Sequence, residues 1–257
     1  MAITKGKIIT ITSVKGGTGK TTTTLNLAGI FSLHKKKVLI MDLDLYSSAV
    51  ALALNINPVK DLYHLVDDLN NNRFEKLENY ITPYNEYIDV LAAPKDPRLA
   101  SKINTKYLNV ILARAAFKYE NILIDTNHIM DEMNLVTFDN SDEILYIVTN
   151  DPVDLKNMRT MVSIYEDMNL KNYKIVLNKA HDRQRNYFNT YDIKNIMKDN
   201  IDFTIPESFY MKNIDKYVLD GSILTLDKKI ASTHKKAISH FELIYQSLIE
   251  NKKKSQR

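Results

Sequence analysis

The sequence predicts an α/β fold, a doubly wound and mostly parallel sheet with helices on both faces. Three observations carry that prediction. Apolar runs alternate with helix-like segments along the chain. Several runs are continuous Ile, Val and Leu rather than alternating, as expected for strands covered on both faces. The first run passes through a glycine-rich turn, Gly16-Gly17-Thr18-Gly19, straight into a helix-like segment.

The elements follow in order. Residues 7–12 form the first expected strand and residues 20–34 the first helix. Residues 37–41 form the second strand, which runs out in Asp42-Leu43-Asp44. A helix over 59–69 ends at the polar turn Asn70-Asn71-Asn72-Arg73. A strand over 87–91, a helix over 99–119 and a strand over 121–124 come next, the last ending in Asp125. Strands over 143–148, 173–177 and 202–205 then alternate with helices over 154–168, 191–198 and 210–219, and a final helix covers 233–250. No proline- or glycine-rich linker and no internal repeat divides the chain, so 1–257 is expected to be one domain. Residues 251–257, with Lys252-Lys253-Lys254, are expected to be a flexible basic tail.

Composition narrows the chemistry. The chain has 257 residues, 44% apolar and 26% charged, ordinary for a globular protein. It has no cysteine, which excludes disulfides, thiolate metal sites and iron–sulfur clusters. The first residues lack the apolar core of a signal peptide, and no apolar run approaches the roughly 20 residues needed to span a bilayer. A cytoplasmic location is therefore expected. The net charge of +4 permits contact with nucleic acid or anionic lipid without arguing for either. The six histidines show no metal-ligand spacing, so zinc is not expected.

The stretch Ser13-Val14-Lys15-Gly16-Gly17-Thr18-Gly19-Lys20-Thr21-Thr22 carries the functional signal. Strand, glycine-rich turn and helix together make a phosphate cradle, in which turn N–H groups and the positive end of the helix dipole face an anion. Lys20 would reach the β- and γ-phosphates, and the Thr21 hydroxyl would bind Mg²⁺. Asp42, Asp44 and Asp125 stand at strand ends on the edge that carries the cradle. Carboxylates there would hold Mg²⁺ through its waters and orient an attacking water. A strand-end aspartate can also simply cap the next helix. His128 lies just past Asp125 and could approach the γ-phosphate, although a histidine at the surface or behind the site is the favoured reading.

Lys15 directly before the glycine pair, with Asp42-Leu43-Asp44 and Asp125, resembles the deviant Walker A (SIMIBI) P-loop ATPases of the MinD/ParA superfamily. The resemblance implies a homodimer that sandwiches two ATP molecules. It assigns Lys15 to the partner's phosphates, Lys20 to the phosphates in cis, Thr21 to Mg²⁺, Asp44 to the hydrolytic water, and Asp42 and Asp125 to the metal's waters. It implies slow, dimer-dependent hydrolysis of ATP. The base is expected near Asn178 and Pro206, with Glu207 adjacent.

Softer markers, including Ile88-Asp89-Val90-Leu91-Ala92-Ala93-Pro94, Val176-Leu177-Asn178-Lys179 and Ile205-Pro206-Glu207, most resemble the TadZ/CpaE pilus-assembly ATPases. The similarity covers residues 7–248 and includes no receiver-like domain. Position 46 is Tyr where these relatives often place Gln, and Thr126-Asn127-His128 replaces a common proline-containing turn. The expected output is the positioning of a type IV or Tad pilus apparatus, with pilus-assembly or secretion proteins as partners. Two alternatives are a ParA-like partition ATPase on nonspecific DNA and a MinD-like regulator at the membrane or cell pole. The apolar face of the last helix, Ile238, Phe241, Ile244, Tyr245, Leu248 and Ile249, offers either core packing or peripheral membrane contact. Core packing is the favoured reading, because the segment stands in the place of the fold's last helix.

Overall fold

The computed structural model describes residues 5–180, 187–210 and 214–254, with side chains as far as residue 250. His181 and the end of the expected tail, 255–257, lie outside the described residues. The strands are β1 (Lys7–Thr12), β2 (Val38–Leu43), β3 (Thr82–Pro83), β4 (Ile88–Leu91), β5 (Asn121–Thr126), β6 (Glu143–Val148), β7 (Tyr173–Asn178) and β8 (Phe203–Ile205). The helices are α1 (Lys20–Leu33), α2 (Ala49–Ala53), α3 (Leu62–Asn70), α4 (Leu108–Lys118), α5 (Glu132–Asp139), α6 (Pro152–Asp167), α7 (Thr190–Met197), α8 (Ile214–Leu219), α9 (Lys228–Thr233) and α10 (Lys235–Lys254).

One eight-stranded sheet has the order β3-β4-β2-β5-β1-β6-β7-β8. All neighbours are parallel except the β3–β4 edge pair. β1 therefore lies between β5 and β6. The turns after those two strands flank the glycine-rich turn after β1, and this places the site.

Strand alternation divides the core into two faces. Ile9, Ile11, Val38, Ile40, Leu123 and Val176 join Leu27 and Phe31 of α1 with Phe241, Ile244 and Leu248 of α10. On the other face, Ile8, Leu39, Met41, Ile122 and Ile124 pack on α3 and α4. Tyr146, Val148, Ile175 and Leu177 pack on α6 and α7. The fold class is as the sequence predicts.

The differences are local. The expected helix over 99–119 begins only at Leu108, because 3-10 turns occupy Pro97–Lys102 and Thr105–Tyr107. Asp96 and Asn104 drive this by accepting the N–H groups of Arg98 and Lys106, a local alternative to the helical ladder. The short α9 ends at Thr233, and the expected last helix is α10, which starts two residues later than its expected start, at Lys235, and continues to Lys254. Its apolar face is spent in the core: Phe241, Ile244 and Leu248 are fully buried and Ile238 nearly so. Buried Lys7 also donates its Nζ to the Leu248 carbonyl at 2.8 Å. Exposing those four side chains would cost roughly 6–12 kcal/mol, comparable to the ~5–15 kcal/mol stability of a whole domain. That face is therefore not available to a membrane while the fold is intact.

Candidate functional site

The glycine-rich turn folds as a cradle for local reasons. Gly17 and Gly19 adopt φ of 74° and 97°, a left-handed conformation that disfavours any side chain. A Cβ at Gly19 would also meet the Asn178 amide at 2.6 Å. Gly19 is the N-cap of α1, and no side chain caps that helix. In contrast, α3, α5 and α6 are each capped by an aspartate. The first-turn N–H groups of α1 thus remain open to an anion. Thr18 Oγ1 is buried without a hydrogen-bond partner in the same turn.

Lys20 is buried and donates to Ser13 Oγ at 3.2 Å, while Ser13 Oγ donates to the Lys15 carbonyl at 2.6 Å. Burial lowers the Lys20 pKa, opposed by the charges of Asp125, Asp44 and Asp154. Thr21 Oγ1 donates to Asp125 Oδ2 at 2.6 Å, leaving the oxygen's lone pairs for a cation.

Asp42 and Asp125 are register partners on β2 and β5, and both are fully buried. Asp42 accepts the Asp44 and Val50 N–H groups, each at 3.1 Å, so it also pins the loop after β2. Asp44 is half-buried beside it. Burial pushes Asp42 well above the usual carboxylate range, and the Asp125 charge adds to this. Burial likewise raises Asp125 from 3.8 to about 7, against the stabilising hydrogen bond from Thr21 and the charge of Lys20. Among the described residues no group of three His, Cys, Asp or Glu side chains could hold a metal ion. The donors present are one hydroxyl and nearby carboxylates, a hard-oxygen set that fits Mg²⁺ completed by phosphates and water.

These shifts give a pH prediction. Because folding raises the Asp125 pKa, the native state keeps a proton that the unfolded chain releases between pH 3.8 and about 7. Stability of the metal- and nucleotide-free protein is therefore lost as pH rises through that window. Asp125→Asn should raise the melting temperature at pH ~8 by about 3–8 °C, the equivalent of roughly 1–2 kcal/mol, and flatten the pH dependence. Thermal melts with chelator present check this; an Asn variant melting at or below wild type at that pH would contradict it.

Lys15 Nζ is 2.9 Å from Asp151 Oδ2, on the turn after β6. Asp151 also caps α6, accepting from the N–H groups of Val153 and Asp154. Sequence reasoning missed Asp151. It also missed Asp154, whose buried carboxyl accepts the Thr149 N–H and hydroxyl and is raised by burial to about 6. An Asp directly before a helix-starting proline was the available signal for the Asp151 cap.

The expected base-binding residues sit beyond the other end of the cradle. Asn178 Nδ2 donates to the Thr18 carbonyl at 2.8 Å, and its Oδ1 accepts the Ala180 N–H at 3.0 Å. The amide thus braces the cradle, with one N–H hydrogen left over. A cavity of about 160 Å³ lies beside it, walled by Gly19, Thr22, Asn178, Ile205, Phe209 and Tyr210. Pro206 and Glu207 do not line it; they form the turn joining Ile205 to Phe209. Tyr46 is exposed, two residues past Asp44.

Comparison with known proteins agrees with this geometry. A sequence profile of the CobQ/CobB/MinD/ParA nucleotide binding domain matches residues 9–216. A putative septum site-determining protein MinD of Emiliania huxleyi is 23% identical over 229 residues, 88% of this chain and 82% of that protein. The ParA family ATPase of Chlorobium tepidum TLS has a TM-score of 0.77 at 18% identity, covering 91% of this chain and 96% of that one. MinD of Pyrococcus horikoshii OT3, solved with Mg-ADP, has a TM-score of 0.74 at 23% identity, covering 92% and 93%. At such identities the two structures establish a shared fold.

Proposed function

The chain belongs to the CobQ/CobB/MinD/ParA nucleotide-binding family, and from that premise we propose that it binds and hydrolyses Mg-ATP as a dimerisation switch. The observation that carries this reading is the convergence of two elements. Lys20 and Thr21 at the start of α1 meet Asp125 at the end of β5, with Thr21 and Asp125 hydrogen-bonded at 2.6 Å. Lys20 and the N–H groups of Gly16, Gly17, Thr18, Gly19 and Thr22 hold the phosphates. Thr21 would hold Mg²⁺, and Asp42 and Asp125 would bind it through water. The bound cation would neutralise charge on the phosphates. Asp44, half-buried and next to the pinned Asp42, orients the attacking water. The base takes the cavity beside Asn178, with Pro206 and Glu207 shaping its far turn. Lys15 crosses to the phosphates of a second copy, so that hydrolysis depends on the homodimer.

Asp44→Ala tests this assignment. It should slow hydrolysis by at least about 100-fold and accumulate an ATP-bound dimer in size-exclusion chromatography. Rapid turnover by this variant would remove Asp44 from the role.

The output we assign is the positioning of a larger assembly from the cytoplasm, in the manner of the TadZ/CpaE ATPases that segments such as Val176-Leu177-Asn178-Lys179 resemble. The supporting observation is sequence similarity, and pilus-assembly proteins are the corresponding partners. A MinD-like regulator is the second reading, favoured by the relative aligned over 88% of this chain. Among the described residues no helix is long and apolar enough to cross a membrane. ATP-dependent, salt-sensitive binding to nonspecific DNA would favour a ParA-like partition role instead.

A further inference from the structure

The geometry points to His128 as a terminal-phosphate contact that separates ATP from ADP, an inference that rests on the nucleotide-binding reading above. A Cβ at Gly16 would lie 3.3 Å from His128 Cε1, 3.5 Å from Nδ1 and 3.7 Å from Nε2. The ring therefore packs directly on the cradle backbone, beside Lys15. The base cavity meets the cradle at its other end, at Gly19 and Thr22. A phosphate chain that starts from that cavity would run along the cradle toward Gly16, so that the third phosphate, and not the second, would be the one to meet His128.

The turn that carries His128 is held in place. Asn127 Oδ1 accepts the Ile129 N–H and the Asn134 amide, both at 2.8 Å, and Asn134 also donates to the Ile129 carbonyl at 2.6 Å. Just before it, Thr126 Oγ1 donates to the Ile11 carbonyl on β1 at 3.1 Å. The backbone is thereby tied to both β1 and α5, while the imidazole itself is exposed. Neither ring nitrogen has a hydrogen-bond partner among the described residues. An imidazole offers at least one N–H in either protonation state, and a phosphate oxygen is a strong acceptor for it. Lys20 would thus hold the phosphates from inside the cradle and His128 would close its outer end, on the same turn that begins with Asp125.

The experiment is calorimetry with Mg²⁺ and either ADP or a non-hydrolysable ATP analogue, on wild type, His128→Ala and His128→Gln. His128→Ala should weaken the analogue about tenfold while leaving ADP within about twofold, the loss of one charge-assisted hydrogen bond. His128→Gln should restore most of the difference, because its amide still donates. The same selective loss should persist with Lys15→Ala as the background, where association of subunits does not contribute. Unchanged binding, equal weakening of both nucleotides, or an effect that vanishes in the Lys15→Ala background would each overturn the assignment. Wild type that binds neither nucleotide would overturn the ATP-binding reading itself, and this inference with it.

Discussion

Lys20→Ala is expected to abolish nucleotide binding, raising the dissociation constant for Mg-ADP and Mg-ATP by at least about 100-fold, or roughly 3 kcal/mol. The size follows from where the ammonium sits. It is buried at the start of α1 and held by Ser13, with the charges of Asp125, Asp44 and Asp154 acting on it. Phosphates arriving in the cradle bring further negative charge to a site already crowded with carboxylates. Without Lys20 the cradle keeps only the partial charges of its N–H groups and the α1 dipole to offset that repulsion. Calorimetry measures the loss, with circular dichroism to show that the variant is folded. Binding within about tenfold of wild type would mean that the glycine-rich turn and α1 suffice without the cation.

Lys15→Ala is expected to act differently. It should bind nucleotide nearly as wild type, yet lose ATP-dependent dimerisation and drop turnover by at least about 100-fold, as when a cation supplied in trans is removed. In the single chain Lys15 is paired with Asp151 at 2.9 Å, with over a third of its side chain exposed. A pair so placed contributes about 0–1 kcal/mol, so a partner's phosphates can draw the lysine away. Asp151→Asn makes a useful companion, because asparagine still caps α6 while the charge is gone. It should dimerise at least as readily as wild type. Sedimentation velocity with a non-hydrolysable analogue reads both variants. A Lys15→Ala protein that dimerises and hydrolyses normally would end the idea of a lysine acting in trans.

The cradle was legible in the sequence because its geometry is local. Gly17 and Gly19 mark the left-handed backbone, and Lys20 and Thr21 follow in fixed order on one helix turn. The buried strands were legible for a related reason, since continuous Ile, Val and Leu have no stable place on a surface. Elements with weak or mixed patterns were missed. β3 is two residues long and contains Pro83, confined to an edge. α5 buries Asn134 and Thr137 beside Met133, which hides its inward face from a hydrophobic pattern. α9 is six residues long and buries only Ile230, too short and too sparsely apolar to show as a helical pattern.

By itself, then, the sequence determined the fold class, the phosphate cradle and the carboxylates at the strand ends. Tertiary structure alone decided which distant residues meet there. Thr21 finds Asp125 across 104 residues, and Asn178 finds Thr18 across 160. Lys15 finds Asp151, and His128 finds Gly16. The physical reason is the placing of β1 between β5 and β6. Periodicity reports which face of a strand is buried but not which strand lies beside it. That order sets two turns against the glycine-rich loop, one bringing Asp125 and His128 and the other bringing Asp151.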